Sequence, residues 1–177
     1  MRSTVVRARI LRRLAAVAAV GATLTALSGC TVPVDAVAGL SVTADGHLLG
    51  VMLVCGHHID GATVYVADPD PDREVTAGAW TASHPLTEGV TTWPLDTPSA
   101  DWKTTTPLRP LVARTTYVLY GWTKDNSWSS TSVDFTLPDR AALRPGTVLY
   151  DRVTEDSEES TVTVPLADFK STACADD

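Results

Sequence analysis

From Leu40 onward the chain repeats one device: short runs in which β-branched or aromatic side chains recur at every second position, each closed by glycine, proline or aspartate. Such runs fix strands, because successive side chains of an extended chain point to opposite faces. Helical spacing is lacking over the same span. Leu40–Thr43 alternates and meets Asp45-Gly46, a strong hairpin signal, before His47–Cys55, which is apolar on both faces and so reads as a central strand. Asp60-Gly61 reads as a second turn, ahead of the strand Ala62–Val66. Pro69 and Pro71 make Asp68–Asp72 an extended connector. Glu74–Trp80 and Val90–Leu95 are short strands beside prolines, expected at sheet edges, and Thr97–Pro110 reads as a long loop. Thr115–Thr123 and Thr131–Leu137 form a hairpin across Lys124–Ser130. Beyond Pro138, Arg140–Leu143 suits one helical turn, and Gly146–Tyr150 and Thr161–Val164 suit strands joined by the acidic run Glu155–Glu159. Leu166 and Phe169 pack locally ahead of Cys174. Seven to nine short strands at this spacing predict an all-β, antiparallel β-sandwich.

The first thirty residues obey another logic. Arg2, Arg7, Arg9, Arg12 and Arg13 precede an uncharged run of thirteen residues, Leu14–Ala26, which ends at Leu27-Ser28-Gly29-Cys30. That run has the proportions of a secretory signal, helical if retained, and falls short of the roughly twenty residues of a spanning helix. Leu27 to Cys30 resembles the lipobox of bacterial lipoproteins. The resemblance implies cleavage before Cys30 and a lipid, with palmitate among its acyl chains, on the Cys30 sulfur. Thr31 follows where an aspartate would signal inner-membrane retention. The expected location is therefore the extracytoplasmic face of the cell membrane, or the outer membrane of a double-membraned cell.

Cleavage would leave 148 of the 177 residues, enough for one domain. Five of the fourteen basic residues would leave with the signal, so nine stand against 21 acidic ones, a net charge of −12. Such a chain repels phosphate backbones, which excludes a nucleic-acid partner and leaves membrane binding to the lipid on Cys30. With Cys30 acylated, an oxidising compartment favours a Cys55–Cys174 disulfide over two free thiols or a two-cysteine metal site. A bridge spanning 119 residues is worth roughly 4–5 kcal/mol of chain entropy.

Leu111, Thr115, Tyr117 and Leu119, at alternate spacing, resemble the run that enters the sixth strand of fibronectin type III domains, with Ala113 where that family prefers proline. The resemblance implies an immunoglobulin-like or fibronectin III-like sandwich in which Tyr117 forms the tyrosine corner, its ring buried and its hydroxyl bonded to upstream backbone. The layout as a whole resembles small actinobacterial lipoproteins of unknown function. Its expected divisions are a signal peptide over 1–29, a lipid-anchored tether over 30–38, the sandwich over 39–137, and a carboxyl-terminal extension over 138–177 packed on the sandwich.

Candidate chemistry is sparse. Asp68, Asp70, Asp72 and Glu74 alternate, but Arg73 and Ala79 stand where a calcium loop needs glycine and glutamate, so the run reads as a solvated connector. His57 and His58, with Asp60 close by and His47 on the neighbouring strand, are the candidate metal ligands; the alternative is a polar loop. No nucleophile elbow, zinc-protease helix or phosphate loop is present, and no cofactor is implied. Trp80, Trp93 and Trp122 read as core or strand residues. Trp102 and Trp128 sit among charges and amides, where a ring offers a face to a glycan or a protein, or folds back over the sandwich end. The function expected is a lipid-anchored, extracytoplasmic binding module, monomeric, whose partner is an envelope protein or glycan. The alternative is a cell-envelope enzyme or metal-handling protein. Labelled palmitate should enter the protein and fail to enter Cys30→Ala; equal labelling of the two would remove the anchor.

Overall fold

The computed structural model describes residues 31–70, 73–153 and 159–174. The signal segment, Cys30 and residues 155–158 of the acidic run lie outside the described residues. Eleven strands and two short helices form among those described. β1 (Val34–Val42) and β2 (Leu48–Val54) make the first hairpin, and β3 (Ile59–Val66) and β4 (Val75–Leu86) the second. β5 (Gly89–Pro94) and β6 (Trp102–Thr106) follow, and β7 (Tyr117–Trp122) turns back into two short strands, β8 (Ser129–Thr131) and β9 (Val133–Phe135). Helix α1 (Leu137–Ala142) starts on a capping box in which the Thr136 hydroxyl accepts the Asp139 N–H and the Asp139 carboxylate accepts the Thr136 N–H. The hairpin β10 (Thr147–Val153) and β11 (Glu159–Pro165) leads to α2 (Leu166–Ala173).

Eight strands hydrogen-bond edge to edge in the order β5–β2–β1–β8–β7–β3–β4–β6, a sheet nearly closed into a barrel. β9 adds to β7, and β10 carries β11 on the side of β1. The seam lies between β5 and β6, the two ends of that order. Trp93 of β5 and Trp102 of β6 stack across it, with centroids 4.2 Å apart and planes inclined by 16°. Both rings are buried, so apolar ring faces fill the gap that backbone bonds leave open.

The all-β expectation holds, with several corrections of detail. Trp102 is 4% exposed and offers no face to a ligand. Its charged neighbours Asp101 and Lys103 are exposed because they occupy the opposite parity of an extended chain. The span 97–110 is accordingly not one loop but contains β6. Asp60-Gly61 lies inside β3, and the turn comes earlier, at 56–58. Gly61 is there because the Trp122 ring covers it: a Cβ would fall 2.4 Å from that ring. β4 runs on through His84 and Pro85 and is paired on both sides, by β3 and β6, so it is no edge. The tether expected over 30–38 ends early, since the chain enters the sheet at Val34 and is buried from Ala36. The pairing of β1 with β8 is parallel, against the antiparallel expectation, because β8 leaves its turn at the end where β1 begins. The extension over 138–177 joins the sheet through the β1–β10 pairing as well as packing on it.

β2 shows why a strand here is apolar on both sides. Leu48, Met52 and Val54 enter the main core, while Val51 and Leu53 meet Val37, Val148, Tyr150 and Phe169 in a second cluster under α2. Just beyond α2, Cys174 bonds to Cys55 with an S–S distance of 2.07 Å. Within the main core Gly50 faces Trp93 across the β2–β5 ladder, and a Cβ there would lie 2.4 Å from the indole. Gly50→Ala should therefore destabilise the domain by about 1–3 kcal/mol, the usual cost of overpacking. Urea unfolding checks this, with loss of the near-ultraviolet tryptophan signal as a second readout.

Candidate functional site

The strand registers sort the loops into two ends. β1 runs away from Val34, so the β1–β2 loop, with His47, lies at the far or distal end. β2 returns, and its last residue Val54 pairs with Ala36. The turn 56–58 is therefore at the proximal end, where the chain arrives from Cys30. β7 runs toward that same end, since Trp122 pairs with Gly61 at the start of β3, and the turn 123–128 closes it. β8, parallel to β1, brings Ser129 opposite Val34.

Two turns from distant parts of the chain thus meet at the proximal end, and they are locked together. Asp35 accepts the Cys55 N–H through its backbone carbonyl at 3.0 Å. Its carboxylate takes the His57 backbone N–H and faces His57 Nδ1 at 2.5 Å. A carboxylate on Nδ1 fixes the imidazole ring and leaves Nε2 as its remaining polar atom. Gly56 makes room for the arrangement, because a Cβ there would lie 2.9 Å from Asp35 Oδ2. The His57 ring lies flat on Trp128, with centroids 3.6 Å apart and planes inclined by 19°.

The turn that carries Trp128 is built on Thr123. Its hydroxyl accepts the N–H groups of Ser127 and Trp128, at 2.9 and 3.0 Å, while Asn126 takes a left-handed φ of 58°. Asp125 accepts the Ser127 hydroxyl at 2.7 Å and its N–H at 3.1 Å. The Ser127 hydroxyl bond, followed by the Ser127 N–H and then Thr123, holds the Asp125 carboxyl below its ordinary pKa. The buried Asp60 accepts the Lys124 N–H at 2.9 Å and so ties this turn to the start of β3.

The three candidate metal ligands do not converge. His47 pairs with Asp96 at 3.2 Å at the distal end, about 24 Å from the turn 56–58 by the length of β2. His57 turns to Asp35, and its neighbour His58 turns to Asp60, with Nε2 at 3.7 Å from the carboxylate. Adjacent residues point apart, as extended chain requires. Among the described residues no three His, Cys, Asp or Glu side chains form a metal-binding group. Trp128 is half-buried and remains as the candidate contact residue. The Tyr117 ring is buried, and its hydroxyl accepts the Val112 N–H at 2.9 Å, five residues upstream. At the distal end an open cleft of about 490 Å³ is lined by Val66, Asp68, Pro69, Arg114 and Thr116, among others.

The sequence singles out His57 as a ligand and Trp128 as an aromatic, but carries no sign of their stack or of Asp35. Asp35→Ala should free the imidazole and uncover Trp128, so that acrylamide quenches its emission more strongly than in the native protein; unchanged quenching would show that the stack holds without its carboxylate. No family model, no curated protein and no solved structure matches the chain.

Proposed function

We propose that the mature protein is a lipid-anchored, extracytoplasmic interaction module, held at the cell membrane through Cys30 and working through the surface of its proximal end. The observation that carries this reading is the Asp35–His57–Trp128 assembly. It presents a stacked pair of rings on loops, anchored by a carboxylate, beside a disulfide. Preorganised aromatic surface of this kind serves binding, because little side-chain freedom remains to be lost on contact. We also read the barrel as a distorted immunoglobulin-like or fibronectin III-like sandwich. In support, β1, β2 and β5 form one side, β4, β3, β7 and β9 the other, and Tyr117 makes the bond of a corner tyrosine. In such folds the end loops commonly carry recognition, while the fold itself assigns no ligand.

The alternative, a cell-envelope enzyme or metal-handling protein, draws on the Asp35–His57 pair, since a carboxylate at Nδ1 leaves Nε2 for a proton or a metal ion. It is the weaker reading, because His58 turns away to Asp60 and Cys55 is engaged in the disulfide. A photoreactive aromatic residue placed at position 128 in intact cells should crosslink to a component that the same residue at position 112, at the distal end, does not reach. Identical adducts from both positions, or none from 128, would remove the proximal surface as the contact site.

A further inference from the structure

We propose that the proximal end of the barrel rests on the headgroup layer of the bilayer that holds the Cys30 acyl chains, with Trp128 and Val34 as contact residues and zwitterionic phospholipid as the partner. The inference rests on the acylation of Cys30, and it names the occupant of the His57–Trp128 surface.

The length of the leash carries the argument. Pro33 is fixed to the barrel, its carbonyl accepting the Ser129 N–H at 2.9 Å and the Ser129 hydroxyl at 3.3 Å. Three residues of advance separate Cys30 from Pro33, a reach of at most about 11 Å. β1, nine residues long, spans about 30 Å from there to the distal end. A barrel longer than its leash cannot turn its far end to the lipid, so the end that meets the headgroups is the one where the leash enters.

That end carries the side chains an interface selects. Because β8 runs parallel to β1 with Ser129 opposite Val34, stepping back one residue to Trp128 moves in the same direction as stepping back toward Cys30. Trp128 therefore stands beside the leash at the rim. Val34 next to it is 53% exposed, although it begins a strand that is otherwise buried from Ala36. Indole, with an apolar body and one N–H donor, favours the headgroup level of a bilayer. The proximal side also holds the ends of β10 and β11, since Leu149 pairs with Leu40 and β10 runs back toward Val34. The described turn 123–128 at this end carries the exposed carboxylate of Asp125. That carboxylate, together with the net charge of −12 of the cleaved chain, disfavours anionic lipid, which is why the partner is a zwitterionic headgroup.

The test uses full-length protein extracted from membranes and reconstituted into phosphatidylcholine vesicles containing lipid brominated on the upper acyl carbons. Of the other four tryptophans, Trp80, Trp93 and Trp102 are buried, and Trp122 is half-buried with its ring over Gly61 and its Nε1 bonded to the Thr63 hydroxyl. Brominated lipid should reduce emission of the native protein and leave Trp128→Phe unaffected. Val112→Trp, placed in the Trp128→Phe background at a distal site 59% exposed in the native protein, should also escape quenching. Flotation with the vesicles together with no quenching of Trp128, or with equal quenching at position 112, overturns the docking while the anchor stands. Absence of palmitate and of flotation overturns the anchor, and the docking with it.

Discussion

β1 hydrogen-bonds three strands, and the rest of the molecule depends on that sharing. It pairs with β2 along seven residues, with β8 through its first half, and with β10 at Leu40. A strand so placed has no solvent face, and Ala36 to Val42 are buried without a break. Small residues make the crowding feasible. At Gly39 a Cβ would fall 2.6 Å from the Val148 methyl group and 3.0 Å from the Leu149 carbonyl, so any side chain there would push β10 away. The path around the barrel, the attachment of the carboxyl-terminal hairpin and the position of Asp35 all follow from where this one strand lies.

Much of the strand content is legible in the sequence because parity is a local property. The readings that failed did so where a residue type was weighed without its parity or its distant neighbour. Trp102 looks solvent-facing because of Asp101 and Lys103, yet alternation sends the middle member of such a triplet to the face opposite its two neighbours, and the large ring is the one that gains by burial. Asp60-Gly61 has the composition of a turn, but its glycine serves the Trp122 ring and its aspartate caps the Lys124 N–H. Neither partner is near in sequence. The helix α2 has eight residues, too few for helical periodicity to register, and it is held by Phe169 in the second cluster. The candidate site was half legible. Trp128 and His57 stand out by type, whereas their stack depends on the parallel β1–β8 pairing, a long-range contact with no local signal.

The disulfide and the site belong to one mechanical unit. Cys55 is followed directly by Gly56 and His57, its N–H is bound by Asp35, and its sulfur is bound to Cys174 beyond α2. The turn 56–58 is thereby fixed from three directions: by the β1–β2 ladder, by the carboxylate of Asp35 and by the covalent bridge. Fixing a surface before contact lowers the ordering cost of that contact. The main core holds itself together by other means, and it tolerates a local deficit. The buried indole N–H groups of Trp80 and Trp93 have no acceptor among the described protein groups, and a buried donor left unpaired costs about 1–3 kcal/mol. Large ring areas removed from water, including the Trp93–Trp102 stack at the seam, outweigh that cost.

In the proposed mature form, a net charge of −12 makes general electrostatic attraction to a membrane unavailable. Orientation at the surface then turns on small apolar terms. Val34, 53% exposed, and the half-buried Trp128 leave apolar surface in water, and its removal would favour this end at about 25 cal/mol per Å². A free protein in dilute solution would gain little from so weak a contact, because association costs it at least ~4 kcal/mol of translational and rotational freedom. In the proposed anchored form, a protein confined within about 11 Å of the headgroups by its leash would have met most of that cost through the lipid. On the proposed anchoring, the same few side chains that are too few to bind a membrane would be enough to orient a barrel on one.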